Sequence, residues 1–155
     1  MVGTTVVTFL HLLATVFWVG GMLYFHFILH PSLHLLDPPQ VGKLMHFQMK
    51  RFAMMAWLSI IVLMVTGVMM TPSGWFFNFS SLISTALALK HIFFLIMLLI
   101  GIFISLVYGP KMDRLEPKPG EHPSAEFFRT QHVVNLLTRT NLVLGILVLI
   151  CIAIG

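Results

Sequence analysis

The stretch ALALKHIFFLIMLLIG, residues 86–101, decides the fold class, because it is apolar apart from Lys90 and His91. It lies within a longer apolar run, residues 82–107, and a membrane-spanning helix needs about 20 mainly apolar residues. An ionisable side chain at membrane depth usually faces a site inside the protein rather than lipid. The stretch therefore predicts a membrane helix that turns a lysine and a histidine toward the interior of a bundle.

The composition of the 155-residue chain supports lipid as its solvent. Hydrophobic residues make up 58% of the chain and charged residues only 9%, whereas soluble domains carry about 25% charged residues. Four stretches are long and apolar enough to span a membrane: residues 6–28, 52–70, 82–107 and 133–154. We predict an all-α, up-down four-helix bundle in the lipid bilayer, forming a single domain over residues 1–155.

Prolines and glycines predict where these helices end. The predicted stops are Pro31, Pro38 and Pro39 for the first helix, Pro72 and Gly74 for the second, and Gly109 and Pro110 for the third.

Positive charge predicts the orientation of the bundle. Seven basic residues lie in the first and third connections: Lys43, Lys50, Arg51, Lys111, Arg114, Lys118 and Arg129. The second connection, residues 71–80, has no charge and is aromatic, with Trp75 among its residues. The positive-inside rule then puts both termini outside, as in a multi-pass protein of a prokaryotic inner membrane. Membrane topology thus accounts for the excess of lysine and arginine over aspartate and glutamate, and we expect no nucleic acid partner.

Two histidines fall at the same predicted depth. His11 lies roughly 8 residues from the outer end of the first span and His91 roughly 10 from that of the third, at about 1.5 Å per residue. Two imidazoles from two helices are typical axial ligands of haem b. Trp18, Gly20 and Gly21 follow His11, and the glycines permit close approach of a macrocycle or a neighbouring helix.

A second histidine pair is predicted at the inner side. His46 precedes the second span and His132 the fourth, so both rings reach a common level if these helices extend beyond the hydrocarbon. His26 and His30, four residues apart on one helix face, are substitutes. Haem at both faces would give an electron path across the membrane. The alternative to haem ligation is that each histidine ring only forms hydrogen bonds within the bundle or contacts lipid headgroups.

Two basic residues are expected near these sites. Lys90 neighbours the outer site, where it would pair with a haem propionate, snorkel to the interface or carry a proton. Arg139, at the inner end of the fourth span, would snorkel or pair with an anion such as a propionate.

Copper is the rival metal, because thioether sulfur and imidazole both suit it. The chain has 11 methionines, but methionine is a common filler of apolar cores. Their scattered positions favour core filling over a ladder of ligands.

Each span resembles a helix of the CopD and HemJ superfamily of small membrane proteins. The first span, LHLLATVFWVGGMLYFHFILHPSL at residues 10–33, resembles the opening helix, with His11, Trp18, Gly20, Gly21 and Tyr24 matching. RFAMMAWLSIIVLMVTGVMM, residues 51–70, is similar to the second helix and its Thr-Gly pair, Thr66 and Gly67. The third span has Lys90 at the family's lysine position, and LTRTNLVLGILVLICIAIG, residues 137–155, resembles the closing helix.

The resemblance implies one of two activities. Resemblance to CopD implies copper uptake or resistance. Resemblance to HemJ implies haem b, ligated in part by His11, and oxidation of protoporphyrinogen IX. From the residues themselves we expect a dihaem protein that transfers electrons, as an oxidoreductase or an electron-transfer subunit, with a quinone or a partner subunit, or as a homo-oligomer. Copper transport and porphyrinogen oxidation are the alternatives.

Overall fold

Four long helices make up the bundle in the computed structural model, which describes residues 2–71, 74, 76–77, 79–117 and 121–154. They are α1 (Val2–Tyr24), α2 (Pro38–Met70), α3 (Leu82–Phe103) and α4 (Ala125–Ile154). These four helical regions are long and apolar enough to cross a membrane, and the described residues form no strand. The predicted all-α multi-pass membrane fold is therefore confirmed. Pro72, Trp75 and Lys118, which entered the sequence predictions, lie outside the described residues.

The predicted helix stops at Pro31 and Pro110 are wrong, because helix continues through both. A π-helix, Phe25–Leu29, is followed by helical turns at His30–Ser32 and Leu33–Leu35. A second π-helix, Ile104–Tyr108, leads into a short helix, Gly109–Leu115. In each case the residue before the proline donates its N–H five residues back, to Phe25 O and Ile104 O respectively. This wider turn removes the clash that proline makes with the carbonyl four residues before it.

Helices α2 and α4 begin well before the spans predicted from hydropathy. Pro38 and Pro39 open α2 instead of ending the first helix, since proline's fixed φ and missing N–H suit a first helical turn. The N–H of Asp37 donates to Gln40 Oε1 at 3.3 Å across this turn. At α4, Phe127 N donates to Ser124 Oγ at 3.1 Å. Polar caps of this kind lengthen a helix where hydropathy is already low.

The core lies at the centre of the bundle, where α1 packs against α2, α3 against α4, and α1 against α4. Its buried members are Ala14, Trp18, Val19, Met22, Ile60, Leu63, Met97 and Leu142. Large apolar side chains such as Phe9, Leu58 and Leu99 are exposed on the outside of the helices. An apolar exterior of this extent fits a lipid environment.

Gly21 permits the close approach of α1 and α2. A Cβ built at Gly21 would lie 2.6 Å from Phe52 Cε2, whereas one built at Gly20 has no atom within 4 Å. We expect Gly21→Ala to lower the free energy of unfolding by about 1–3 kcal/mol, the usual effect of overpacking a close contact. Denaturation in mixed micelles measures this. Gly20→Ala is the matched control, and equal stability of the two variants would contradict the assignment.

Candidate functional site

One cavity of about 180 Å³ lies among all four helices and contains both residues of the opening stretch, Lys90 and His91. His11 lines the same cavity from α1. Apart from these three residues and Thr15, its described walls are glycine and apolar side chains, including Trp18, Leu63, Phe94 and Val148. The described lining residues include no aspartate or glutamate. The two histidines that the sequence predicts at one depth thus line one cavity.

The ring of His11 is fixed by α2. Its Nδ1 lies 2.7 Å from Oγ1 of the buried Thr66, and that hydroxyl donates its only hydrogen to Val62 O at 2.6 Å. With its hydrogen on Val62 O, a carbonyl that can only accept, Thr66 Oγ1 accepts from His11 Nδ1, which carries the ring hydrogen. The lone pair of His11 is then on Nε2. Gly67 lies beside the same ring, since a Cβ built on it would lie 3.6 Å from His11 Cε1.

The ring of His91 is in the same tautomer by a different route. Its Nδ1 donates to Leu87 O at 2.6 Å, one helical turn back along α3. Its Nε2 therefore carries the lone pair and accepts from Thr71 Oγ1 at 3.3 Å, a hydroxyl that also lies 2.7 Å from Gly67 O. When this hydroxyl turns wholly to Gly67 O, the Nε2 lone pair becomes available to a metal. A hydrogen bond at one ring nitrogen that leaves the other free is the usual arrangement of a histidine that binds a metal.

Lys90 adds a positive charge to this cavity. Its side chain is half-buried, and the described lining residues offer it no carboxylate. A cation entering the cavity would therefore meet repulsion from the ammonium group as well as attraction from the imidazole lone pairs.

Thioether groups line the cavity on two sides. Met64 reaches it from α2, where its side chain is 47% exposed, and Met97 from α3, where it is only 1% exposed. Phe76, from the connection between α2 and α3, also lines the cavity, and its ring centroid is 5.0 Å from that of His91. Phe76 thus covers His91 at one side of the cavity.

The inner-side residues predicted from the sequence lie outside this cavity. His46 and His132 are exposed, and His46 Nδ1 is 3.9 Å from Glu116 Oε2 in an exposed pair. His30 and Arg139 are also exposed. Within the described part of the chain, no group of three or more His, Cys, Asp or Glu side chains is arranged to hold a metal. A ligand role for these residues stays a prediction.

His26 differs from the other histidines predicted at the inner side, because its ring is fixed by a hydrogen bond. It lies in the first π-helix, and its Nδ1 donates to Met22 O at 3.0 Å, which leaves Nε2 with the lone pair. Of the residues predicted near the outer site, Trp18 lines the cavity, whereas Gly20 and Gly21 do not.

Thr66, Met97 and Phe76 are parts of this site that the sequence prediction missed. Thr66 had one signal, since with Gly67 it forms the Thr-Gly pair noted above, but the contact of this pair with His11 joins residues 55 positions apart. Met97 lies six residues after His91 on the same helix, a spacing that is common in any apolar helix.

Comparison with known proteins gives a family. No curated protein and no solved structure matches the chain. A family model described as copper resistance protein D matches residues 48–154. The match includes Thr66, Lys90, His91 and Met97, and it begins after His11. Because it covers more than half of the sequence, the chain belongs to the copper resistance protein D family.

Proposed function

We propose that this chain handles copper within the membrane, binding Cu(I) in the cavity between His11 and His91 and moving it through the bundle. The observation that carries the proposal is the pair of imidazoles that line one apolar cavity, each bonded through Nδ1 so that Nε2 carries the lone pair. Imidazole and thioether ligands suit Cu(I), and Met64 adds a thioether at the cavity. Calcium and magnesium prefer carboxylate oxygens, which the described lining residues do not offer.

The size of the cavity also supports an ion. Pockets for drug-sized ligands measure roughly 300–1,000 Å³, whereas this one measures about 180 Å³. A metal ion with a few water molecules fits this space without rearrangement of the helices. Membership of the copper resistance protein D family favours the same choice.

Copper uptake into vesicles tests the proposal. The protein is reconstituted in liposomes that contain a Cu(I)-sensitive dye, and Cu(I) is added outside under reducing conditions. We expect uptake above that of empty vesicles, and its loss in His11→Ala and in His91→Ala. Uptake equal to that of empty vesicles, or uptake unaffected by both substitutions, would overturn the proposal.

Electron transfer through haem b stays a prediction, and the same preparation tests it. The haem hypothesis predicts reduced b-type absorption bands in the purified protein, with about two haems per chain. The copper hypothesis predicts a protein without visible bands that binds Cu(I).

Removing the charge of Lys90 is expected to strengthen copper binding. Two unit charges roughly 8 Å apart repel by about 2 kcal/mol at an effective dielectric constant of ~20. Lys90→Leu, which removes the charge and adds no metal ligand, should therefore raise the Cu(I) affinity about tenfold or more. Competition with a chromogenic Cu(I) chelator measures this. Lys43→Leu, which removes an exposed charge in α2, is the control. Unchanged or weaker binding in Lys90→Leu would show that the ammonium does not oppose the metal.

A further inference from the structure

A second pair of soft donors lies at Gly145 of α4. Met97 and Gly145 line the cavity, and Met22 packs against Gly145. The Cε atoms of Met22 and Met97 would each lie 3.4 Å from a Cβ built on Gly145. The ends of two thioether side chains, one from α1 and one from α3, therefore both reach the bare backbone of α4, beside Val19 Cγ2, which would lie 3.5 Å from the same Cβ. Both side chains are almost fully buried, with 4% and 1% exposed.

The missing side chain at Gly145 leaves the space in which these thioethers meet. Methionine has three rotatable bonds and an adaptable sulfur, so the two sulfur atoms can turn toward a common point without moving the helices. Thioether sulfur suits Cu(I) better than it suits hard cations. Because Met97 also lines the histidine cavity, a metal leaving the histidines meets this sulfur next.

The buried side chain of Asn141 independently indicates a ligand near Gly145. It lies one helical turn from Gly145 on the same face of α4, with 6% of its surface exposed. Its Oδ1 is buried without a hydrogen-bond partner, the one such side-chain atom in the described part of the chain. Buried polar atoms are nearly always partnered, so an unpartnered oxygen calls for an explanation. A passing cation would be attracted by this oxygen.

His26 offers the next potential ligand for Cu(I) beyond the two methionines. It lies one turn beyond Met22, its ring is held by Met22 O, and its Nε2 lone pair is free. It also lies within a π-helix, and such segments occur frequently at functional sites.

We propose that Met22 and Met97 form a second Cu(I) site across Gly145, which receives copper from the histidine cavity and passes it toward His26. This inference rests on the proposed copper function. The metal stays Cu(I) throughout, and only its ligands exchange.

Two measurements test the second site: the number of Cu(I) bound per chain and the rate of copper uptake. We expect the wild-type protein to bind two Cu(I) per chain, and the Met22→Leu/Met97→Leu protein to bind one and to take up copper at least tenfold more slowly. Leucine is close to methionine in volume, so the core should tolerate the change. The control is Met54→Leu/Met69→Leu, which makes the same chemical change at residues 68% and 66% exposed on the outside of α2.

Labelling with selenomethionine gives a direct readout. The sample is the Met64→Leu variant, which lacks the other cavity thioether, loaded with two Cu(I) per chain. X-ray absorption at the copper edge should show a copper–selenium distance in this sample. That signal should disappear when Met22→Leu and Met97→Leu are added.

Gly145→Ala provides a variant that keeps every donor. Its methyl group would fill the space between the two thioethers, so we expect slower uptake with the first copper still bound.

The outcomes separate the two proposals. One Cu(I) per chain, with uptake unaffected by Met22→Leu/Met97→Leu, would overturn the second site while leaving the histidine site in place, and the two methionines would be core packing only. No Cu(I) bound at all would overturn the proposed function itself.

Discussion

The protein with both His11→Ala and His91→Ala is expected to lose at least about 10³-fold in Cu(I) affinity. Loss of a hydrogen bond to a metal ligand already lowers metal affinity 10–100-fold, so loss of both first ligands must exceed that. The remaining donors on the cavity are thioethers, with Lys90 opposing the metal. Anaerobic competition with a Cu(I) chelator measures the affinity.

The matched control for this prediction is the protein with both His46→Ala and His132→Ala. These two rings are exposed and lie outside the cavity. Their removal should leave the affinity within about threefold of the wild-type value. A larger effect from this pair than from the cavity pair would move the copper site to the other end of the bundle.

Thr66→Val is expected to weaken Cu(I) binding 10–100-fold without removing any ligand. Valine keeps the shape of the side chain but cannot accept the hydrogen of His11 Nδ1, which lies 2.7 Å from the hydroxyl in the native protein. The ring then loses the contact that fixes its tautomer and its orientation, and partners of this kind are worth 10–100-fold in affinity. The same chelator competition measures the change.

Thr15→Val is the control for the hydroxyl itself. Thr15 also lines the cavity, but its hydroxyl donates to His11 O, a backbone atom, at 2.8 Å. We expect an affinity close to that of the wild-type protein. If the two threonine variants weakened binding equally, the role assigned to Thr66 would be wrong.

The sequence predicted the main features of the fold because they depend on local physical chemistry. Four apolar runs, separated by polar or aromatic connections, are enough to predict four membrane helices. Helical rise alone predicted His11 and His91 at one depth, and both residues line one cavity.

Features that depend on hydrogen-bond register were not predictable in this way. Pro31 and Pro110 read as helix ends, but each follows a π-helix that accommodates it. A wider turn of this kind has no pattern in hydropathy. The early starts of α2 and α4 depend on caps and a proline pair in polar sequence, where hydropathy carries no helix signal.

The parts of the site that join distant residues also needed the structure. Met22 and Met97 appear in the sequence as two scattered methionines of eleven, and only the packing of three helices brings their ends together at Gly145. The tautomer of His11 likewise follows from its contact with the distant Thr66, whose hydroxyl lies on Val62 O, whereas that of His91 follows from its bond to Leu87 O.

X-ray absorption at the copper edge of protein loaded with one equivalent of Cu(I) tests the shared histidine site most directly. We expect two imidazole nitrogens around the copper in the wild-type protein, one fewer in His11→Ala and one fewer in His91→Ala. A copper shell without imidazole, or one that keeps both nitrogens in either variant, would contradict a shared site.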